Sequence, residues 1–372
     1  SVFHHLADGE LTITDVDSIF GSTLGRAKSA IFRTADVVGL DTLVHVFGTV
    51  YDACPDDEKR EAFKVPAYLT KLVEAGATGQ KTGAGFYKKT RIDGKKAILA
   101  LNLETGEYEV QEKKRFASIG AAKKAGNTAK AHKAMVWGDD PAAQLAWKVM
   151  ADTLIYSANR IPEIADDIVN VDRAMKWGFA WEMGPFESWD AIGVKESVER
   201  MQAEGLAVPQ WVQDMLAAGR ESFYARNEAG KLTYWDPQSG AARVVPMADS
   251  WIYFSDLRAQ DKRVARNPDA ELLDLGDGVL CLSLTNPVEM NALNTNLFAL
   301  YEQALNELDE GKWEALVIGA QNHAQGPFRP SVGPNGNAFC AGANLMMVGM
   351  LAMQGKWDEL GATIKGMQDL LR

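Results

Sequence analysis

The chain has 372 residues, 47% hydrophobic and 24% charged, with a formal net charge of −11. That balance is ordinary for globular protein, sets disorder aside, and makes nucleic acid or an anionic membrane surface a poor partner. Three scattered cysteines, Cys54, Cys281 and Cys340, suit neither a disulfide framework nor a zinc site, and no run of about 18 apolar residues offers a membrane span. The length favours two or three domains, no signal peptide is visible, and a reducing, cytoplasmic location is expected.

A first module covers residues 1 to about 90. Thr14 with Asp17 has the spacing of a capping box, with Asp in place of the usual Glu or Gln. Ser29–Asp41 reads as a short helix stopped by Gly39, where a C-terminal cap wants no Cβ at positive φ. Asp41 is then the expected N-cap of a helix whose Leu43, Val44, Phe47, Val50 and Tyr51 recur at helical spacing. Beyond the charged break Asp56–Arg60, Pro66 opens a helix with Tyr68, Leu69, Leu72 and Val73 as its buried stripe, closed by Gly76. GQKTGAGFYKK, Gly79–Lys89, needs its glycines for a turn or a close backbone approach. It is no dinucleotide fingerprint, since no strand precedes it and no helix opens from it.

Residues 91–140 form a connecting region. Residues 91–112 read as a hairpin, followed by an Ala- and Lys-rich, linker-like helix from about Phe116 to Val136. The basic run Lys113, Lys114, Arg115, Lys123, Lys124, Lys130 and Lys133 fits a solvated helix face or a contact for a phosphorylated ligand.

A second module, residues 141–226, repeats the first. It opens on the long helix AAQLAWKVMADTLIYSANRIPEI, which Pro162 kinks or ends near Arg160. Asn159 there suits a C-cap or a buried hydrogen-bonder. Met183–Val194 then answers Ser29–Asp41, with Phe186 for Phe32, Asp190 for Asp36 and Gly193 for Gly39. Asp172 answers Asp17, VPQWVQDMLAAG answers VPAYLTKLVEAG, and a second hairpin at roughly Leu232–Val245 answers the first. Matched segments in a fixed order imply one module copied in tandem. The region 227–270 ends in a charged connector, Arg258–Asp269.

From residue 271 the texture changes. Val279–Leu284 reads as a strand, followed by NPVEMNALN, an amphipathic helix (Leu297, Leu300, Tyr301, Leu305, Leu308) and a second strand, Ala315–Ala320. Strand, helix, strand suggests a crossover unit. Its strands are expected to lack neighbours, leaving residues 278–320 mobile or paired with another molecule. A Pro-rich loop, Gln321–Asn337, leads into AFCAGANLMMVGM, where a strand is expected to end at Cys340. Two readings fit that turn. It is a tight strand-to-helix connection with nothing bound, or the N–H of Ala343 faces a cleft and steadies developing negative charge.

The expected fold class is mainly α: two tandem helical repeats with small β-hairpins, plus a partial α/β segment. MGPFESWDAIGV and KTGAGFY, with the module around them, resemble the C-terminal helical domain of the 3-hydroxyacyl-CoA dehydrogenase family over residues 1 to about 226. The resemblance implies that Lys81 reaches bound NAD; the alternative is a solvated turn lysine. The second copy, Gly219–Phe223, lacks the motif and is expected to support the fold without a cofactor. Asn159 matches a family asparagine near the substrate.

NPVEMNALN and FCAGANL resemble the opening of the crotonase, or enoyl-CoA hydratase, superfamily. That resemblance gives the Ala343 N–H a share in holding a thioester oxyanion and gives Ala292 a place along CoA. Asn344, which stands where the family usually has Asp, falls beside the CoA substrate. Together the two resemblances imply a bifunctional fatty-acid β-oxidation enzyme that hydrates an enoyl-CoA and oxidises the 3-hydroxyacyl-CoA with NAD. Its partners are then acyl-CoA and either a second copy or other β-oxidation subunits.

No GxGxxG follows a strand anywhere, so the nucleotide-binding domain and the His–Glu pair implied by the resemblance are expected outside this chain. The opening at Ser1 and the ending at Arg372 inside a helical pattern are those expected of an internal, catalytically incomplete piece. A non-catalytic helical module that organises other subunits through apolar faces is the alternative function.

Overall fold

Glycine-punctuated helices dominate the first two thirds of the computed structural model, which describes residues 2–5, 11–110, 114–247, 251–286, 289–321 and 339–370. Two compact units are distinguished: Ser1–Phe223 with Trp235–Ala241, and Tyr224–Tyr234 with Ala242–Arg372.

The first unit begins with α1 (Val2–His5) and α2 (Ile13–Ile19). The capping box of α2 is Thr12 with Asp15, not Thr14 with Asp17. Helix α2 starts two positions earlier than its spacing suggested, and Asp17 is left free for a longer reach. Its carboxylate accepts the N–H groups of Ile31, Phe32 and Arg33 at 3.0, 2.8 and 3.2 Å, so it caps α3 (Phe32–Val38) from a distant part of the chain. Gly39, at φ 104°, ends α3 and is also the N-cap of α4 (Leu40–Ala53). Asp41 therefore lies in the first turn of α4 and is not its N-cap.

Pro66 caps α5 (Ala67–Glu74), with Leu69 and Leu72 buried. Strands β1 (Tyr87–Ile92), β2 (Lys95–Leu101) and β3 (Tyr108–Glu109) make an antiparallel sheet in that order. The sheet starts at Tyr87, not at residue 91, because buried Asp36 on α3 accepts the N–H groups of Phe86 and Tyr87, both at 2.8 Å. The single linker helix expected after it is two packed helices, α6 (Ala117–Lys124) and α7 (Thr128–Val136). Gly126 at φ 83° breaks them, and Asn127 restarts the second by accepting the Lys130 N–H. Their inner faces bury Ile119, Ala122, His132, Met135 and Val136, while Lys123, Lys124, Lys130 and Lys133 are exposed, as on a solvated face. Lys113 lies outside the described residues.

Asp140 caps α8 (Pro141–Asn159), which ends at Asn159 ahead of Pro162, as proline requires. Then come α9 (Ile168–Gly178), α10 (Pro185–Ile192), α11 (Val194–Ala203) and α12 (Gln210–Ala217). Several bonds here have counterparts in residues 13–86. Asp172 accepts the N–H groups of Phe186 and Glu187 at 2.8 and 3.1 Å, as Asp17 does those of Phe32 and Arg33. Asp190 accepts the Phe223 N–H at 2.7 Å, as Asp36 does that of Phe86. Gly193, at φ 94°, joins α10 to α11 as Gly39 joins α3 to α4. Fully buried Phe32 meets Phe86 edge-on at 4.7 Å, and Phe186 meets Phe223 edge-on at 5.1 Å. Each such side chain contributes roughly 1.5–3 kcal/mol by burial.

Strands β4 (Tyr224–Arg226), β5 (Leu232–Asp236) and β6 (Ala241–Val244) form a second small sheet. In the second unit, α13 (Phe254–Ala259) precedes a four-stranded sheet of β7 (Arg263–Arg266), β8 (Ala270–Gly276), β9 (Val279–Leu284) and β10 (Ala315–Gly319), in the order β10-β9-β8-β7. The charged stretch Arg258–Asp269 is therefore more than a connector, since it carries β7. Arg258 and Arg263 close on Glu271, which is fully buried, at 2.6 and 2.9 Å. Nor does β9 lack neighbours: β8 pairs it antiparallel and β10 parallel. Helix α14 (Thr295–Asp309) makes the expected crossover, seating Leu300 and Ala304 on Leu280 and Leu282. Helices α15 (Leu345–Met353) and α16 (Trp357–Leu370) follow. Of the Pro-rich loop only Gln321 falls among the described residues. No helix among the described residues is long and apolar enough to cross a membrane.

Candidate functional site

The turn that carries Lys81 is shaped by a buried carboxylate. A Cβ on Gly79 would lie 2.4 Å from the Asp36 carbonyl oxygen, and one on Gly85 would lie 2.1 Å from Asp36 Oδ1. The glycines at both ends of GQKTGAG thus admit Asp36, and burial raises that carboxyl above its usual range although two backbone N–H groups hold it down. Between them, a 3-10 turn, Gln80–Thr82, lifts Lys81 outward. Its ammonium grips both oxygens of Asp41, at 2.6 and 2.7 Å. Lys81 holds the Asp41 carboxyl below the usual carboxylate range. Both side chains are about half exposed, 49% and 45%. Gly39 gives this brace room, since a Cβ there would sit 2.9 Å from Lys81 Nζ.

The second helical region keeps a brace at this place but exchanges the charges. Lys195 stands two residues beyond Gly193, as Asp41 stands two beyond Gly39, and its Nζ is 3.7 Å from Glu221. Arg220, just after Gly219, folds back on the carbonyl oxygens of Ser222 and Phe223. Asn159 ends α8 and donates to Glu58 at 2.9 and 3.0 Å. Lys59 with Asp152 and Tyr156 with Asp57 lace the same segments. Sequence reasoning missed these partners because about a hundred positions separate them.

In the second unit, no strand ends at Cys340 among the described residues. The turn is held by one isolated parallel bridge between Leu293 and Ala343. The Leu293 N–H donates to the Gly342 carbonyl at 2.8 Å and the Asn344 N–H to the Leu293 carbonyl at 3.3 Å. A parallel bridge so arranged turns the N–H of the intervening residue away from the partner strand. That residue is Ala343, which is exposed, and its N–H makes no hydrogen bond to a described residue. Ala292 is half-buried in the facing loop, its N–H bound to the Glu289 carbonyl at 3.0 Å. Asn344 caps α15 by accepting the N–H groups of Met346 and Met347, and its amide donates to Glu289 at 3.3 Å. Among the described residues no group of three His, Cys, Asp or Glu side chains could hold a metal ion.

Residues 1–89 match the family of 3-hydroxyacyl-CoA dehydrogenase C-terminal domains. The matched residues include the Lys81 turn, its Asp41 partner and the buried Asp36. A "Probable 3-hydroxyacyl-CoA dehydrogenase" of Bacillus subtilis (strain 168) is 39% identical over 363 residues, 98% of this chain and 43% of the relative. A "Putative fatty acid oxidation complex trifunctional enzyme" of Rickettsia prowazekii is 22% identical over 100% of this chain and 44% of its own length. A "Probable 3-hydroxyacyl-CoA dehydrogenase" of Deinococcus radiodurans is 44% identical over 87 residues, 23% of this chain and 24% of the relative. The chain thus spans less than half the length of these relatives.

Proposed function

We propose that the chain is the helical part of a fatty-acid β-oxidation enzyme that oxidises 3-hydroxyacyl-CoA to 3-oxoacyl-CoA with NAD, joined to an enoyl-CoA hydratase segment. The match of residues 1–89 to the dehydrogenase C-terminal family is the observation that carries the dehydrogenase half. On this reading residues 1–90 and 141–226 are two copies of one module. Two pairs of carboxylate-to-amide bonds support that duplication, Asp17 with Asp172 and Asp36 with Asp190.

NAD supplies the hydride acceptor when bound. Lys81 is the residue of this chain that meets it, and the chemistry of its surroundings fits. Its ammonium is half exposed and is held by a single exposed carboxylate, from which an anionic nucleotide can draw it. The second copy offers Glu221 in that role and is read as supporting the fold alone. In the hydratase segment the outward N–H of Ala343 is the oxyanion donor, Ala292 lines CoA, and Asn344 acts on the CoA substrate through the turn it caps. Acyl-CoA is the substrate, and a second copy or other β-oxidation subunits are the partners.

The test is NAD-dependent oxidation of a 3-hydroxyacyl-CoA, measured on the chain alone and on the longest reading frame that contains it. The reading expects no turnover by the chain alone. It expects turnover by the longer frame that falls when Lys81 becomes Ala. Turnover by the chain alone, or indifference of the longer frame to that substitution, contradicts it.

A further inference from the structure

The loop carrying Ala292 and the turn carrying Ala343 are separated by about fifty positions, and their mutual placement must be fixed if they are to act on one ligand. Three backbone bonds join them: Ala341 N–H to the Met290 carbonyl at 3.0 Å, and the two bonds of the Leu293 bridge. One side chain adds to these. Asn291 is 1% exposed and takes φ 53°, a left-handed conformation that Asn adopts more readily than most residues. Its Oδ1 accepts the Asn286 N–H at 3.0 Å, and its own N–H donates to the Asn286 carbonyl at 2.7 Å. The loop is thereby closed on itself. The amide Nδ2 then crosses to the Phe339 carbonyl at 3.1 Å, four residues before Ala343.

We propose that Asn291 is a positioning residue: its amide sets the Ala343 N–H against the Ala292 loop, so that one acyl-CoA thioester spans both. The assignment rests on the hydratase reading of this segment and extends it to a residue which touches no ligand. The Asn291 amide makes a part-buried side-chain link between the two segments, where the link from Asn344 to Glu289 is exposed. Donors that stabilise an oxyanion need placement to within about 0.5 Å, which three backbone bonds at an exposed turn do not secure alone.

The experiment uses the 372-residue chain, a 2,4-dienoyl-CoA whose absorbance moves to the red when its carbonyl is polarised, and free CoA as the affinity reference. Two variants separate the roles. Asn291→Gly keeps the left-handed conformation and deletes the amide; Asn291→Asp keeps the acceptor for the Asn286 N–H and loses the donor to Phe339. The wild type is expected to bind the dienoyl-CoA with a red shift. Both variants are expected to bind free CoA within about threefold of wild type while losing the shift. Amide exchange at Leu293, Ala341 and Asn344 is expected to rise about tenfold, the loss of one hydrogen bond. A wild-type shift that survives in both variants overturns the assignment of Asn291 and leaves the hydratase reading standing. A wild type that neither binds nor shifts the dienoyl-CoA overturns that reading, and the role of Asn291 toward a thioester with it. Unchanged exchange in both variants overturns the positioning role whatever ligand binds.

Discussion

Gly85→Ala probes the buried carboxylate on which the Lys81 turn is built. The new methyl carbon would lie 2.1 Å from Asp36 Oδ1 and 2.6 Å from the Gly79 Cα. Asp36 is 6% exposed, and its two oxygens hold the N–H groups of Phe86 and Tyr87 at 2.8 Å. The carboxylate cannot retreat without giving up at least one of these bonds, worth about 1.5–3 kcal/mol to a charged acceptor. Overpacking adds about 1–3 kcal/mol. A loss of roughly 3–5 kcal/mol is expected, a large share of the 5–15 kcal/mol that typically holds a domain together. Gly83→Ala is the control. Gly83 has φ +81° but no atom within 4 Å of its added Cβ, so only backbone strain of about 1–2 kcal/mol applies. Native-state amide exchange at Phe86 and Leu101 reads both variants locally, since the Leu101 N–H donates to the Phe86 carbonyl. Gly85→Ala within 1 kcal/mol of wild type, or no worse than Gly83→Ala, would refute the idea that Asp36 dictates the glycine pattern.

Lys176 is 1% exposed and its Nζ lies 2.6 Å from Glu187, so Glu187→Ala, which removes one partner of a buried cation, should destabilise by about 1.5–3 kcal/mol, and wild-type exchange protection at Phe186 in the variant would count against it. His132, 2% exposed, is pushed down to about 4 by burial and by the nearby Arg26 guanidinium. Its folded value lies below the unfolded one, so its contribution is complete above about pH 6.5 and is lost as pH falls toward 4, an effect of about 3 kcal/mol. Urea midpoints at pH 7 and pH 4.5 should fall further for wild type than for His132→Leu, and equal slopes would count against it. Glu58→Ala should loosen the end of α8 by about 1–2 kcal/mol through the two bonds it accepts from Asn159, measured by exchange at Ala158.

Local signals were legible where the chain's own neighbours decide the structure. Gly39 and Gly193 stop helices and start others because positive φ suits no other residue there. Pro162 announced the end of α8, and the succession of apolar strand, amphipathic helix and apolar strand announced the β9, α14, β10 crossover. What escaped reading was every carboxylate that works at long range. Asp17 looked like half of a capping box because Thr14 lies three positions away, yet its partners are backbone amides fourteen to sixteen residues on. Arg258 and Arg263 read as part of a charged connector because Glu271, which neutralises both, sits inside a strand that charge alone would not suggest. The candidate sites divide the same way. Lys81 was visible in its motif, whereas its grip on Asp41, forty positions away, and the reversed pair Lys195–Glu221 needed coordinates. Asn291 stood in view inside NPVEMNALN, but nothing in the spacing told its amide from that of Asn286 or Asn294.

The reversed pair also supplies the most direct test of the account, that the first helical copy seats NAD through Lys81 and the second does not. Lys81→Glu with Asp41→Lys gives the first copy the charges of the second while keeping a brace. Lys195→Glu with Glu221→Lys does the opposite. In the longest reading frame containing this chain, the first double substitution should raise the KM for NAD by about tenfold or more, the worth of one charge-assisted contact. Exchange at Leu40, whose N–H is bound to the Thr78 carbonyl at 3.0 Å, should stay at wild-type protection. The second double substitution should leave the KM for NAD unchanged. A KM unmoved by the first pair, or moved equally by both, contradicts the account.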